Sequence, residues 1–110
     1  MDNRHKKIKG YRDLSQAEID LMNQIKQKGN ELLQLHAQLA GYLDTAYETK
    51  IDAAKASTRH RPWDQGASDE CIEYRRFVDA EPQRWAAIGR TDIQTGIMAL
   101  VRAVAQPSEA

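Results

Sequence analysis

A single cysteine, Cys71, excludes an internal disulfide. A chain with no thiol pair suits a reducing compartment. Long hydrophobic runs are missing too: none approaches the roughly 18 residues of a membrane span. No signal-peptide core follows Met1, and a soluble, cytoplasmic protein is expected. Aromatic residues amount to only 6%, and the formal net charge is +0 from 16 basic and 16 acidic side chains. That balance disfavours a strongly basic DNA-binding domain and leaves room only for a local patch. The 3 prolines and 6 glycines form no glycine-rich phosphate loop, and there is neither an internal repeat nor a strand pattern. With 110 residues, the chain is long enough for one domain, or for half of a core shared in an oligomer.

What is present begins with a helix start. Ser15-x-x-Glu18 is a capping box, in which the Ser15 hydroxyl accepts from the Glu18 N–H and the Glu18 carboxylate accepts from the Ser15 N–H. Leu14 and Ile19 stand at the positions of a hydrophobic staple. Just upstream, Tyr11 offers a flat π-face, while Lys9 and Arg12 offer donors to phosphate. Residues 1–12 carry Arg4, Lys6, Lys7, Lys9 and Arg12 against Asp2 alone. This segment reads either as a solvated basic arm or as an electrostatic collar beside an anion site.

From Ser15 onward, Met22, Gly29, His36 and Leu43 alternate with Ile25, Leu32, Leu39 and Ala46 at spacings of three and four. Such a seam predicts a long helix in an antiparallel hairpin or bundle. Leu33, Leu35, Tyr42 and Tyr47 widen the stripe, so the helix is expected to touch more than one neighbour. Gly29 within the seam implies either a bend or the close approach of another group. His36 is expected to be a packed, hydrogen-bonded histidine. The pattern breaks at Pro62 and Gly66, which places a loop over 59–66 with Trp63 as its anchor. A second helix is expected from Ser68 or Asp69 to about Ala80, burying Cys71 or Ile72 and then Phe77 and Val78. Pro82 suits the first turn of the next helix. That last helix runs to about Ala105, with Ile93, Ile97, Leu100, Val101 and Val104 in one stripe and Trp85, Ile88 and Gly89 continuing it. Gly89 and Gly96 would permit close helix–helix approach. The fold class is therefore all-α: a single helical hairpin domain over 1–110, with a basic arm at 1–7, a loop at 59–66 and a tail at 107–110.

Catalytic constellations are wanting. No serine or cysteine nucleophile has a nearby candidate base, and the carboxylates Asp20, Glu31, Asp44 and Glu48 fall where a solvated helix face would carry them. The Glu-x-x-His pattern of helix-bundle metal sites is missing, as is any zinc spacing. Neither an enzyme nor a cofactor is expected.

Two stretches together resemble a known family. One is Lys9-Gly10-Tyr11-Arg12-Asp13-Leu14-Ser15-Gln16-Ala17-Glu18-Ile19-Asp20, continuing through Ile25-Lys26 and Gly29-Asn30. The other runs from Arg84-Trp85-Ala86-Ala87-Ile88-Gly89-Arg90 through Thr91 to Val104. The pair is similar to the helical hairpin domain of phage anti-CBASS cyclic-oligonucleotide sponges, a domain that some anti-Thoeris sponges share. The resemblance covers residues 8–45 and 80–107. It implies a compact hexamer that sequesters immune second messengers, such as 3′,3′-cyclic GMP–AMP, without cleaving them. It also implies that Tyr11 and Lys26 hold a cyclic dinucleotide, and that Arg84 serves a separate pocket for cyclic trinucleotides. Arg90, in the same stretch, joins the ligand-binding candidates with Lys9 and Arg12. Residues 46–79 depart from the compact family pattern, with the Arg59–Trp63 loop and the Cys71–Val78 helix as the extra material.

The chemistry is compatible with that implication. A cyclic dinucleotide has two related halves, and an isologous dimer repeats each residue across its axis. One Tyr11 and one Lys26 per chain would then supply two stacking faces and two cations. Lys26 lies eleven residues beyond the cap, about three helical turns, which favours a pocket between subunits. The competing readings are a helical oligomerisation or adaptor module, a nucleic-acid accessory protein using the arm and the Arg59–Arg61 loop, and a sponge for cyclic ADP-ribose-type signals.

Overall fold

The computed structural model describes residues 12–59 and 62–108. Three helices and a short 3-10 turn make up these residues: α1 (Gln16–Thr58), the turn Trp63–Gln65, α2 (Asp69–Ala80) and α3 (Pro82–Ala105). The all-α expectation holds for them. Two compact units result, one from the described residues up to Gln34 with those from Arg90 on, the other from Leu35–Gly89.

The helix boundaries are written locally. The capping box forms as expected, with Glu18 N–H donating to Ser15 Oγ at 3.2 Å and Ser15 N–H donating to Glu18 Oε1 at 2.9 Å. Ser68 caps α2 by accepting from Cys71 N–H at 3.1 Å. The stops share a device: Arg59, Glu81 and Gln106 all have positive φ, at 56°, 50° and 49°. A proline follows each of them, at 62, 82 and 107. A left-handed residue ends the hydrogen-bond ladder, and proline cannot extend it. Pro82 is the first residue of α3, as its fixed φ favours.

In the first unit the opening turns of α1 pack against the later turns of α3. Gly29 is buried, and a Cβ built there would overlap the Cδ1 of Ile97. Close approach, not a bend, accounts for this glycine. Between residues 22 and 43 the buried and half-buried positions on α1 are 22, 25, 29, 33, 36, 40 and 43. The expected seam residues Leu32 and Leu39 are instead exposed. A heptad pattern of 3.5 residues per turn drifts by about 20° every seven residues on a straight α-helix, which moves the contact face to Leu33 and Ala40. On α3 the expected stripe also narrows, leaving Leu100 exposed. Among the described residues nothing lies within 4 Å of a Cβ built at Gly96, so this glycine does not serve a close approach within the chain.

In the second unit α2 runs antiparallel to the second half of α1. Cys71 is fully buried, with its Sγ 3.9 Å from the Ala54 carbonyl oxygen. Tyr47 packs near Tyr74 and Phe77, with ring centroids 6.2 Å apart in both pairs. Lys50 donates to Glu73 at 2.9 Å. Of the neighbours offered by the sequence, Cys71 and Phe77 are buried, whereas Ile72 and Val78 are exposed. Adjacent helical residues point about 100° apart, so only one of each pair can face α1. Leu35 and Tyr42 are likewise exposed, so the widened stripe meets a second neighbour only from Tyr47 on. Trp85, expected to continue the apolar face of α3, is 59% exposed. Gly89, like Gly96, faces open space.

His36 is held as expected, its Nε2 donating to the Ala86 carbonyl oxygen at 2.9 Å. Gln83 reaches Asp44 at 2.7 Å on the same side-by-side pairing of α1 and α3. The 3-10 turn is anchored by Trp63, whose ring meets Tyr74 edge-on at 4.7 Å beneath Lys55. Arg75 completes the anchor by donating to the carbonyls of Asp64 and Gly66 at 3.1 and 2.7 Å.

Candidate functional site

The capping box places Glu18 where its carboxylate can do more than cap. Arg12 meets it in a forked pair, Nη2 to Oε2 at 2.5 Å and Nη1 to Oε1 at 3.3 Å. The same guanidinium crosses to the end of α3, where Nη2 donates to Val104 O at 2.8 Å and Nε to Ala105 O at 3.2 Å. These carbonyls belong to the last turn of a helix, where acceptors have no intrahelical partner and the dipole favours a cation. The hydrogen bonds from Arg12, then those from Ser15, lower the Glu18 carboxyl to about 2. Glu18 in turn raises the Arg12 guanidinium above its usual range. Arg12, read from the sequence as a phosphate donor, is thus placed against protein acceptors.

The other expected site residues fall in different parts of the chain. Lys9 and Tyr11 lie outside the described residues, as do His60 and Arg61 of the loop. Lys26 is exposed on α1, without a hydrogen-bond or ion-pair partner among the described residues. Arg90 is exposed at the start of the first unit's share of α3. Beside Lys26 in sequence, Ile25 lines an open apolar groove of about 490 Å³ with Gly29, Leu32, Ile93, Ile97 and Leu100. In the second unit Arg84 lies 3.4 Å from Glu81 and 5.2 Å over the Trp85 ring. It also borders a cavity of about 410 Å³ with Tyr47, Tyr74, Phe77, Glu81 and Gln83. Burial, then the neighbouring Tyr47, raises the Tyr74 phenol there. An exposed cation and an aromatic-walled cavity can receive an anionic, ring-bearing ligand; the described residues bring together no nucleophile and base.

The link from Glu18 through Arg12 to α3 escaped sequence reasoning. Its local half was legible, since an arginine stands three residues ahead of a capping serine. Its distant half needed the tertiary meeting of residue 12 with residue 105.

The family model described as "Acb2/Tad1, hairpin domain" matches residues 5–105. The chain belongs to that family. A relative, Anti-CBASS protein 2 of Pseudomonas phage JBD67, is 62% identical over 107 residues, which is 97% of each chain. The hairpin-domain match spans the capping box, Lys26, both glycine positions on α3 and the residues between 46 and 79. The alignment with the phage relative, 97% of each chain, likewise runs through these intervening residues. Among the described residues, no helix of this family member is long and apolar enough to cross a membrane.

Proposed function

We propose that the protein is a non-catalytic sponge that sequesters cyclic dinucleotide second messengers, and cyclic trinucleotides in a second pocket. It would thereby block CBASS antiphage signalling inside the infected bacterial cell. The observation that carries this reading is the 62% identity, end to end, with a phage protein named for anti-CBASS action.

In this reading Tyr11 stacks on a base, and base–aromatic stacking contributes roughly 1–3 kcal/mol per base. Lys26, exposed and unengaged among the described residues, supplies the phosphate contact, with Lys9 adding positive potential. Leu32 and Leu100, both exposed on the apolar groove of the first unit, support a homo-oligomer, because exposed apolar surface of this kind marks an interface. A hexamer would repeat the dinucleotide site across two-fold axes. Arg84 is assigned to the trinucleotide pocket, and Arg90 stays a ligand-binding candidate without an assigned pocket.

Calorimetric titration with 3′,3′-cyclic GMP–AMP, followed by heat denaturation and chromatography of the released ligand, tests the proposal. Saturable binding with intact recovery is expected. Linear product would make the protein a nuclease. Absence of binding to both cyclic di- and trinucleotides, with binding of a cyclic ADP-ribose isomer, would move it to Thoeris signalling. Binding of none of the three would leave the adaptor reading.

A further inference from the structure

The Arg12 guanidinium carries five N–H donors and no acceptor. Nε serves Ala105 O; Nη1 serves Asp13 O and Glu18 Oε1, both at 3.3 Å; Nη2 serves Glu18 Oε2 and Val104 O. Every donor therefore has an acceptor within the chain, and none is left for a phosphate. Its charge is matched as well, by the Glu18 carboxylate on one side and the negative end of α3 on the other.

We infer that Arg12 is a positioning residue, not a ligand contact: with Glu18 it clamps the backbone immediately after Tyr11 onto the last turn of α3. The inference rests on the reading of Tyr11 as the base-stacking residue. The chain of support is continuous. The Ser15 N–H holds Glu18 Oε1 at 2.9 Å, Glu18 holds Arg12 by a forked pair, and Arg12 holds the carbonyls of Val104 and Ala105. Residue 12 is thereby fixed both to the start of α1 and to the end of α3. An aromatic one peptide away starts from a fixed point, and less conformational freedom is lost when it closes on a base. Lysine cannot replace this arginine, because three donors on one nitrogen cannot fork a carboxylate while reaching two carbonyls.

Glu18→Gln separates the two roles, because they predict opposite signs. If Arg12 were a phosphate contact, removing the Glu18 charge would release the guanidinium, and cyclic GMP–AMP would bind as tightly or more tightly. As a positioning pair, Glu18→Gln weakens binding about tenfold, in keeping with the loss of charge-assisted hydrogen bonds. Arg12→Lys then fails like Arg12→Gln, although the charge is kept. Circular dichroism reports whether each variant stays folded. Amide hydrogen exchange over residues 12–15 supplies a readout that needs no ligand: exchange quickens in Glu18→Gln and Arg12→Lys if the clamp exists. Unchanged exchange in both variants, or undiminished binding in Glu18→Gln, would overturn the inference. If the native protein binds no cyclic dinucleotide, the sponge reading falls, and the exchange data still decide whether Arg12 orders this segment.

Discussion

Ile97 on α3 fills the space that a side chain at Gly29 of α1 would need. Helix propensity alone would favour alanine over Gly29 by about 1 kcal/mol. The overlap reaches Ile97 Cγ1 as well as Cδ1, and a β-branched residue in a helix has one strongly preferred χ1 rotamer. Overpacking of this kind costs about 1–3 kcal/mol and wins. Gly29→Ala should therefore lower the urea midpoint, and combined with Ile97→Ala it should cost less than the sum of the two single changes. A higher midpoint for Gly29→Ala alone would mean that the two helices can part without cost.

Acid should act through two carboxylates. Glu18 is lowered to about 2 by Arg12 and Ser15, and Glu73 to about 2 by Arg76 and then Lys50. Both start from an ordinary value near 4.5. A depressed folded-state pKa adds stability that is fully present above the unfolded value and lost as pH falls towards the folded one. Stability should be flat above about pH 5 and fall progressively towards about pH 2. Thermal melts across that range should show the slope, and Glu18→Gln and Glu73→Gln should each make it shallower.

The stop between α2 and α3 holds a glutamate at φ 50°. A left-handed conformation costs a non-glycine residue roughly 1–2 kcal/mol. Glu81→Gly removes that strain and gives up only the exposed 3.4 Å contact with Arg84. The variant should be more stable by about 0.5–1 kcal/mol once the greater freedom of the unfolded glycine is counted. Differential scanning calorimetry measures it, and a lowered transition would show that the Glu81 contact matters more than its backbone.

Tyr11→Ala and Lys26→Ala should each weaken cyclic dinucleotide binding about tenfold or more, since each removes a stacking face or a charge-assisted phosphate contact. Sedimentation of both variants should match the unsubstituted protein. Unchanged affinity in both would remove the dinucleotide site from these residues.

Local signals carried most of the fold. Ser15 and Ser68 mark helix starts, Pro62, Pro82 and Pro107 mark the stops, and Trp63 marks the anchored loop; each depends on neighbours within a few residues. The choice between adjacent apolar residues was not local. Whether Cys71 or Ile72 turns inward depends on where Ala54 sits across the helix pair, and Leu32 loses to Leu33 because the contact face drifts along α1. At the candidate site, Glu18 was legible as a cap and Arg12 as a cation near a helix start. Its attachment to Val104 and Ala105 spans more than ninety positions of sequence, a distance that no short pattern reports.

The buried Cys71 gives this chain a built-in clock. Its thiol has 0% exposure, and the sequence contains no other cysteine. A thiol-specific reagent can reach it only when the packing of α2 on α1 opens around it, and when labelling outpaces reclosing its rate counts those openings. Any ligand or partner that holds that packing shut will slow the labelling, with no probe introduced and no background from a second site.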